Sequence, residues 1–355
     1  MITGTAKTEA VYRANMLDSS SSLKDFSMDR KKYYRKYILG EDVEDKDTQA
    51  ATTGRVVETL LLEPELFDER FYMSSCVEAP SALMLAFVNA LYKFTKEATD
   101  DHGNVTRNFE DISKDAYVES GFKIKYEAVI GKFVGSDAEI YYNEMRTVKS
   151  RGLTVVTAED VTNAEKIVEE LRNNPVTKDV VNLVSSARYS VYNQLQVEGY
   201  EIDDMKFKSM MDKLIVDHEA KTIQVYDLKC TWSVENFLEE YYLYRRAYIQ
   251  AYLYFWASTH FRETNEELTG YQILPPKFIV CDSTNYYNPL IYTLEYDDLD
   301  LAYSGFTHKN REYKGVRTII ADLQWALDNN VWNISRENSL SNGLVNIMGW
   351  KEKRQ

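Results

Sequence analysis

The chain of 355 residues has no long apolar run. No stretch approaches the roughly 20 apolar residues that a membrane-spanning helix needs. The first residues, MITGTAKTEAVYRANML, also lack the basic segment followed by an apolar segment that is typical of a secretory signal peptide. The sequence therefore predicts a cytoplasmic protein with no membrane partner.

Cysteine and histidine are scarce, which weakens several kinds of site. The three cysteines are widely spaced and odd in number, as expected of reduced thiols and not of a disulfide framework or a four-cysteine metal site. The four histidines form no H-E-x-x-H motif, and the chain has no G-x-S-x-G motif. Gly131-Lys132 lacks the upstream glycine of a P-loop, which disfavours an ATPase.

Positive charge is in deficit, because 42 Lys and Arg against 56 Asp and Glu give a net charge of −14. This balance speaks against a general nucleic-acid coat, although it leaves room for a local basic track. Two short stretches are basic, DRKKYYRKY at 29–37 and KEKR at 351–354. Either stretch could instead be a solvated surface with no specific partner.

Material for a hydrophobic core is abundant, with 44% hydrophobic residues, 13% aromatic residues and 27 Tyr, so the chain is globular. Serine caps, apolar spacing and stops such as Pro64 and Pro175 predict helices in the first half of the chain. A Thr157/Asp160 capping box predicts the start of one of them. The predicted helical ranges are 18–40, 52–67, 81–98, 122–150 and 154–175.

From residue 189 the apolar period changes to about two, which predicts strands at 189–202, 205–217 and 222–230 in an antiparallel meander. A long helix capped by Ser233 is expected over 233–258. The apolar pieces KFIVCD and LIYTLEY at 277–282 and 290–296 complete the sheet, and the last third closes with helix. This order predicts an α/β (α+β) fold with a central mixed sheet between helices.

Two carboxylates and one lysine interrupt the apolar strands. Alternation places Asp227 and Lys229 on the same strand face as Ile223 and Val225, and Asp212 lies on an apolar face of the preceding strand. Buried charges are costly unless they are paired or bind something. One interpretation is a structural Asp–Lys ion pair with Asp212 bonded to the backbone.

The other interpretation is a metal-dependent hydrolytic site, if the two strands are neighbours. Mg²⁺ prefers hard oxygen ligands and is commonly held by one or two carboxylates. A lysine beside the metal can stabilise the charge that develops when water attacks a phosphodiester. Asp212 and Asp227 are then metal ligands, and Lys229 lowers the pKa of the metal-held water or stabilises the pentavalent transition state.

Gln250 and Tyr254 lie four positions apart on the predicted helix that follows, so they share one helix face. They could hydrogen-bond a scissile phosphate or orient Lys229. The helix is rich in Tyr, and without the neighbouring D-x-K motif simple core packing would be the better interpretation. With that motif nearby, we favour a role in the site.

These motifs together resemble the PD-(D/E)XK nuclease core. KFKSMMDKLIV, YDLKCT and YRRAYIQAYLY are most similar to the RecE-type exonucleases of phages and prophages, related to lambda exonuclease and the RecB nuclease domain. SSSSLKDF and TTGRVVETLLLEPELFDERF resemble the N-terminal pieces of that branch. The resemblance covers about residues 18–72 and 192–256. It implies catalytic roles for Asp212, Asp227, Lys229, Gln250 and Tyr254.

The chain departs from this pattern in three places. Where the branch has a metal-ligand histidine, this chain has Glu58, four residues after Gly54. Glutamate is a competent ligand for Mg²⁺ or Mn²⁺, so Glu58 is either a third metal ligand or a helix-surface residue. Ser209 replaces a common glycine. The acid expected on the preceding strand has no clear counterpart among Gln194, Gln196 and Glu198.

The resemblance implies a metal-dependent exonuclease that degrades linear duplex DNA in phage recombination or DNA processing, with Mg²⁺ as cofactor and Mn²⁺ as a substitute. It also implies a ring-shaped homo-oligomer, a single-strand annealing protein as partner, and action in the bacterial host cell if a phage encodes the chain. The alternative is a catalytically degenerate scaffold on the same fold. The expected phosphate contacts are Arg30, Lys31, Lys32, Arg35, Lys36, Arg245 and Arg246.

Four regions are expected along the chain. Residues 1–72 form the N-terminal helical part of the nuclease core, and residues 73–190 form a mainly helical insertion. Residues 191–330 carry the catalytic sheet with its flanking helices. Residues 331–355 form a C-terminal tail. The direction of digestion, the choice between DNA and RNA, and the choice between exonuclease and endonuclease are not readable from these patterns.

Overall fold

The computed structural model describes residues 9–41, 49–284, 286 and 288–344. The basic stretch KEKR at 351–354 lies outside these residues. Within them, ten strands are present. They are β1 (Phe71–Met73), β2 (Thr154–Val156), β3 (Tyr189–Ile202), β4 (Met205–Asp217), β5 (Thr222–Thr231), β6 (Gln272–Ile273), β7 (Lys277–Asp282), β8 (Leu290–Tyr292), β9 (Gly305–His308) and β10 (Arg311–Lys314).

The same part of the chain contains fifteen α-helical segments. They are α1 (Glu9–Ala14), α2 (Ser20–Met28), α3 (Arg30–Tyr33), α4 (Gln49–Leu62), α5 (Phe67–Arg70), α6 (Ala82–Glu97), α7 (Phe109–Ser120), α8 (Tyr126–Phe133), α9 (Asp137–Val148), α10 (Ala158–Asn173), α11 (Lys178–Val181), α12 (Ala247–Glu263), α13 (Tyr296–Ser304), α14 (Val316–Asn329) and α15 (Arg336–Leu340).

The main sheet has six strands in the order β3-β4-β5-β7-β8, with β6 pairing beside β7 on β5. β3, β4 and β5 form the expected antiparallel meander, β7 joins β5 in parallel, and β8 returns antiparallel to β7. The sheet is therefore mixed. The predicted fold class, a central mixed sheet with a meander between helices, is confirmed.

Helices cover both faces of this sheet. On one face, α2, α12 and α14 pack against β3, β4 and β5 around Leu23, Phe207, Leu253 and Ile320. On the other face, α4 and α10 pack against β5 and β7 through apolar residues that include Val57. Because the strands in the middle of the sheet are covered on both sides, any charge on them is withdrawn from water.

A separate hydrophobic cluster joins helices α6 to α9 around Phe87, Leu91, Phe133 and Met145. Strands β1 and β2, which pair in parallel, flank this helical part at its two ends. The cluster lies within the predicted insertion at 73–190. The division of the chain into four regions remains a prediction, because packing clusters alone do not define domain boundaries.

Local sequence signals predicted the boundaries of several helices and strands correctly. α4 ends at Leu62, just before Pro64, and α10 begins after the Thr157 capping box, in which Thr157 and Asp160 bond each other's backbone N–H. The three meander strands agree with the predicted ranges to within one residue at each end. These elements follow from caps, stops and periodicity, which act over a few residues.

Two long helices predicted from apolar spacing are interrupted. The range 18–40 divides into α2, α3 and a π-helical turn, because Asp29 has an extended backbone and caps α3 with its own carboxylate. The range 233–258 contains a 3₁₀ turn, a π-helical segment Leu238–Tyr244 and then α12. Ser233 makes no side-chain cap bond, and Arg246 breaks the helix with a left-handed backbone at φ +57°.

Two further ranges differ from the prediction. The helix expected over 122–150 is two helices, α8 and α9, separated by a turn at Gly135 with φ +75°. The end of the chain contains the β9–β10 hairpin where only helix was expected. Lys309 and Asn310 both have positive φ at its two-residue turn, the geometry that suits a tight hairpin.

Candidate active site

The candidate site lies where β4 and β5 separate. Their ladder begins at Asp217 paired with Thr222 and ends at Lys213 paired with Tyr226, so Asp212 and Asp227 occupy the first opposed positions beyond the last pair. There the Leu228 N–H donates to Asp212 Oδ2 at 2.7 Å. From Tyr226 onward β5 pairs with β7 on its other edge, while β4 remains paired with β3. We call this opening the strand fork.

Asp227 is held from several directions and is only 1% exposed. Gln250 Nε2, from α12, donates to Asp227 Oδ1 at 2.9 Å, and the Lys229 ammonium forms an ion pair with Asp227 Oδ2. Gln250 also donates to Tyr254 Oη at 2.8 Å, and Tyr254 donates to the Met210 carbonyl oxygen at 2.8 Å. Gln250 and Tyr254 thus connect the two sides of the fork.

Glu58 reaches the fork from the opposite face of the sheet. It lies on α4, and Gln194 Nε2 donates to Glu58 Oε1 at 2.6 Å. Gln194 lies on β3 between Asn193, paired with Lys213, and Leu195, paired with Met211, and is therefore opposite Asp212. Its positive φ of 49° is unusual for a residue inside a strand. Glu58 is thus a half-buried member of the cluster and not a solvated helix-surface residue.

The electrostatics of the fork point to an excess of negative charge. Burial, then the charges of Asp227 and Glu58, raise the pKa of Asp212 well above its usual value, against the effect of Lys229. Burial also raises the pKa of Glu58, with Lys229 opposing it and Asp227 adding to it. Burial alone would lower the pKa of Lys229, but the nearby carboxylates raise it overall, so Lys229 is an ammonium ion at neutral pH.

The donor set suits a hard divalent cation. Asp212 and Asp227 offer two carboxylates, and Gln194 Oε1 is buried and accepts no hydrogen bond from the described residues. Lys229 already places a positive charge against Asp227 Oδ2 and within 3.4 Å of the Leu228 carbonyl oxygen. In the described ranges, however, no group of three or more His, Cys, Asp and Glu is arranged to hold a metal ion. The carboxylates of Asp212 and Asp227 are the kind of hard oxygen ligand that a divalent cation binds.

The purely structural interpretation explains only part of this arrangement. It required an Asp227–Lys229 ion pair and a backbone partner for Asp212, and both are present. It gives no reason for Glu58, a third carboxylate whose charge raises the pKa of Asp212. Three carboxylates beside one ion-paired lysine cost stability unless something else binds there.

Lys24 is a residue near the fork that the sequence analysis did not single out. It lies on α2, and burial followed by the charge of Lys229 lowers its pKa to about 8, while Asp227 acts in the opposite direction. Lys24 is therefore a second lysine near the D-x-K motif. A signal was available, since Leu23 and Phe26 mark the buried face of α2 and place Lys24 beside it.

The predicted phosphate contacts are mostly engaged by carboxylates of the chain. Arg30 pairs with Asp322, Lys32 and Lys36 pair with Asp25, and Arg35 pairs with Glu41. On α3, Lys31 is exposed.

The two arginines before α12 differ from that group. Arg245 lies 4.4 Å above the Tyr241 ring, and Arg246 is half-buried.

The structure thus brings Asp212, Asp227, Lys229, Gln250, Tyr254 and Glu58 together at the fork, while the seven basic residues lie outside that cluster. Their role in binding DNA remains a prediction.

Comparison with known proteins gave one family match and one structural match. The model of a family described as "PDDEXK-like domain of unknown function (DUF3799)" matches residues 19–321. A crystal structure from Eubacterium rectale, described as a "Putative exonuclease", covers 99% of this chain and 98% of its own, with 14% sequence identity and a TM-score of 0.47. The search of curated proteins found no match.

The family match covers the fork and its surrounding helices, from α2 to the first part of α14. Of the helices in the described residues, none has the length and apolar character to cross a bilayer.

Proposed function

We propose, because the chain belongs to the PDDEXK-like family, that it is a metal-dependent exonuclease that hydrolyses phosphodiester bonds of linear duplex DNA in phage recombination or DNA processing. The observation that supports the proposal is the strand fork, where buried Asp227 and the half-buried Asp212, Lys229 and Glu58 form one cluster. A nuclease needs such a group of hard oxygens beside a fixed positive charge.

The proposed mechanism divides the work among the residues of the fork. Asp212 and Asp227 would hold a Mg²⁺ ion, or Mn²⁺ in its place, which when bound supplies Lewis-acid polarisation of the scissile phosphate. Lys229 stabilises negative charge that develops on the phosphate and orients the attacking water. The Leu228 N–H fixes the carboxylate of Asp212, and Gln250 fixes that of Asp227.

Tyr254 and Glu58 support these groups from either side. Tyr254 holds Gln250 through a 2.8 Å hydrogen bond and anchors it to β4 through the Met210 carbonyl oxygen. Glu58 either joins the ligands of the cation or orders Gln194, whose amide nitrogen donates to Glu58 and whose amide oxygen is buried without a hydrogen bond from the described residues. Both roles keep the donor oxygens in place before substrate binds.

The first experiment is digestion of end-labelled linear duplex DNA by the purified protein with Mg²⁺, with Mn²⁺ and with EDTA. Lys229→Ala is tested beside Lys206→Ala, a matched control because Lys206 is an exposed lysine on β4. We expect metal-dependent loss of nucleotides from one end, unaffected in Lys206→Ala and lost in Lys229→Ala. Circular dichroism of both variants separates loss of chemistry from loss of fold.

The outcome decides between the two functions. Full cleavage by a folded Lys229→Ala variant would exclude the assigned role of Lys229. No cleavage by the natural chain with either metal would favour the scaffold. Circular duplex and RNA substrates in parallel reveal whether the activity requires an end and whether it is limited to DNA.

The role of Glu58 has its own test. Glu58→His restores the residue type that the related exonucleases carry, and we expect it to preserve or raise Mg²⁺-dependent cleavage. Glu58→Ala is the comparison, with an expected loss of roughly tenfold or more, in the range typical of metal-site supporting residues. A folded, metal-binding Glu58→His variant without activity would contradict a ligand role.

The assembly and partners implied by the resemblance remain proposals. A ring-shaped homo-oligomer predicts a solution mass that is a multiple of the 41.3 kDa chain, which light scattering measures directly. A single-strand annealing partner predicts co-elution of the two proteins.

A further inference from the structure

A cavity of about 290 Å³ lies between α2, α12, the β9–β10 hairpin and α14. Four basic residues line it, together with two acidic ones. The charged lining residues are Arg30, Arg246, Arg311, Lys314, Glu312 and Asp322. We call this cavity the arginine pocket. It is separate from the strand fork, since Asp212, Asp227 and Lys229 do not line it.

The charge of the pocket opposes that of the whole chain. Its lining sums to +2, from four cations and two carboxylates, whereas the full sequence carries −14. Asp322 is shared between Arg30 and Lys314, each at 2.9 Å. Among the described residues, Arg246 and Arg311 have no carboxylate within ion-pair distance. Positive charge concentrated in a concavity attracts anions.

Two arginines have features that packing alone does not explain. Arg30 donates to Asp322 through Nη2, while its Nη1 is buried without a hydrogen-bond acceptor in the part of the chain that the structure describes. Arg246 has a left-handed backbone with φ +57°, which is uncommon for a residue with a long side chain. Such strain is typical of positions that bind ligands.

Aromatic rings lie beside these cations. The guanidinium carbon of Arg30 is 4.5 Å from the Phe26 ring centre, and that of Arg311 is 5.3 Å from the Tyr313 ring centre. Tyr248 and Tyr313 meet edge to face with ring centres 6.4 Å apart. The volume is close to the lower end of pockets that hold small ligands. Cations beside flat aromatic surfaces suit a phosphate attached to a planar base.

The pocket is close to the fork along the chain. Arg246 precedes Gln250 by four residues, one helical turn, and Arg30 follows Lys24 by six residues. We propose that the arginine pocket binds a nucleotide phosphate, with Arg246, Arg311 and Arg30 as its ligands. This inference rests on the proposed function for the kind of ligand, while its test uses binding and requires no cleavage.

The experiment measures equilibrium binding to the full chain in EDTA, so that turnover does not interfere. One arm uses deoxyadenosine monophosphate, and the other uses short duplexes that differ only in a phosphate or a hydroxyl at their ends. The variants are Arg311→Ala, Arg311→Lys and Arg246→Gly, the last chosen because glycine accepts a left-handed backbone. Arg317→Ala is the matched control, since Arg317 is exposed on α14 and outside the pocket.

We expect Arg311→Ala and Arg246→Gly to weaken binding of at least one probe roughly tenfold, since a hydrogen bond to a charged group is typically worth this much. Arg311→Lys should recover part of the loss, and Arg317→Ala should bind as the natural chain does. Loss limited to the mononucleotide identifies a free nucleotide as the ligand, and loss limited to the duplexes identifies a strand phosphate. Equal binding of every probe by all variants would overturn the proposal.

The same variants separate this proposal from the nuclease assignment. A chain that binds nucleotide phosphate through Arg311 but never cleaves DNA would refute the proposed function and leave the pocket intact. If the natural chain cleaves DNA and both pocket variants bind every probe as it does, the arginine-pocket proposal is refuted and the proposed function stands.

Discussion

At the scale of single residues, the charged groups at the fork lower the stability of the folded protein. Asp212 lies beside Asp227 and Glu58, and one ion-paired lysine does not neutralise these three carboxylates. A carboxylate whose pKa is raised by burial favours the protonated form in the folded protein. Its stability contribution is therefore present at low pH and lost as the pH rises from about 3.8 through the raised pKa.

We predict that Asp212→Asn stabilises the protein at neutral pH while it removes cleavage. Asparagine keeps an oxygen for the Leu228 N–H and carries no charge, so we expect a gain of about 0.5–2 kcal/mol in the free energy of unfolding. Urea titrations between pH 4 and 8 should show the gain growing as the pH rises.

Asp217→Asn is the control of opposite sign. The pKa of Asp217 is lowered to about 2, mainly by the hydrogen bond from Arg188. The hydrogen bonds from the Ala220 and Glu219 N–H groups act in the same direction with smaller effect. Its stabilisation is present above pH 3.8 and lost as the pH falls toward 2, so Asp217→Asn should destabilise at neutral pH. An Asp212→Asn variant less stable than the natural chain at pH 8 would contradict the argument.

A second residue-scale prediction concerns Lys24. Its pKa of about 8, lowered by burial and by Lys229, means that its ammonium is lost near the alkaline end of a working range. If Lys24 adds positive charge at the fork, Lys24→Gln should cleave roughly tenfold more slowly at pH 7. The ratio of the two rates should approach one above pH 9. A ratio that does not change between pH 7 and 10 would exclude a charge effect of Lys24.

At the scale of elements, the junctions between helices and strands shape the site. The break at Arg246 ends a π-helical segment and starts α12, which brings Gln250 to Asp227. The extended backbone at Asp29 separates α2 from α3 and leaves Arg30 at the arginine pocket. Both breaks lie in ranges where apolar spacing predicted a continuous helix.

The junction between the β9–β10 hairpin and α14 gives an element-scale prediction. Gly315 has an ordinary φ of −71°, but a Cβ there would collide with the Tyr303 carbonyl oxygen and the Gly305 nitrogen. Because both atoms belong to the backbone, neither can swing away. We expect Gly315→Ala to cost about 2 kcal/mol or more.

Gly131→Ala is the control for that substitution. Gly131 lies in α8, where an added Cβ would meet no heavy atom within 4 Å beyond its own helix, so alanine should be neutral or stabilise by up to about 1 kcal/mol. Thermal unfolding of both variants makes the comparison. Equal stability of Gly315→Ala and the natural chain would show that the junction relaxes more easily than the close backbone contact indicates.

At the scale of the whole molecule, the proposed function requires a chain with a net charge of −14 to bind DNA, which is itself an acidic polymer. Of the seven basic residues expected to contact phosphates, Arg30, Lys32, Arg35 and Lys36 already pair with carboxylates of the chain. Few cations therefore remain to replace counterions on DNA, so binding should depend on a small number of contacts.

We predict a modest salt dependence of duplex binding. For three phosphate contacts, affinity should fall roughly 40-fold between 50 and 200 mM salt, against the thousandfold or larger loss of proteins with broad basic surfaces. Fluorescence anisotropy in EDTA, with a salt series on one labelled duplex, measures the slope. Loss above a thousandfold would require a basic track larger than the described residues provide.

The sequence by itself determined the meander, the helix capped by Thr157 and the charged strand positions Asp212, Asp227 and Lys229. Alternation, caps and prolines act within a few positions, so β3, β4, β5, α4 and α10 followed from local pattern. Asp212, Asp227 and Lys229 stood out because charge on a buried strand is costly anywhere. Gln250 and Tyr254 were predicted to belong to the site because the D-x-K motif lies nearby.

Only the tertiary structure decided which distant groups meet. Glu58 and Gln194 are 136 positions apart, and Lys24 is about 200 positions from Asp227, so no local pattern could place them together. The breaks at Asp29 and Arg246 also depend on packing, because apolar spacing reports a face and not the continuity of a helix. The arginine pocket joins four separate segments, since only folding brings α2, α12, the hairpin and α14 to one cavity.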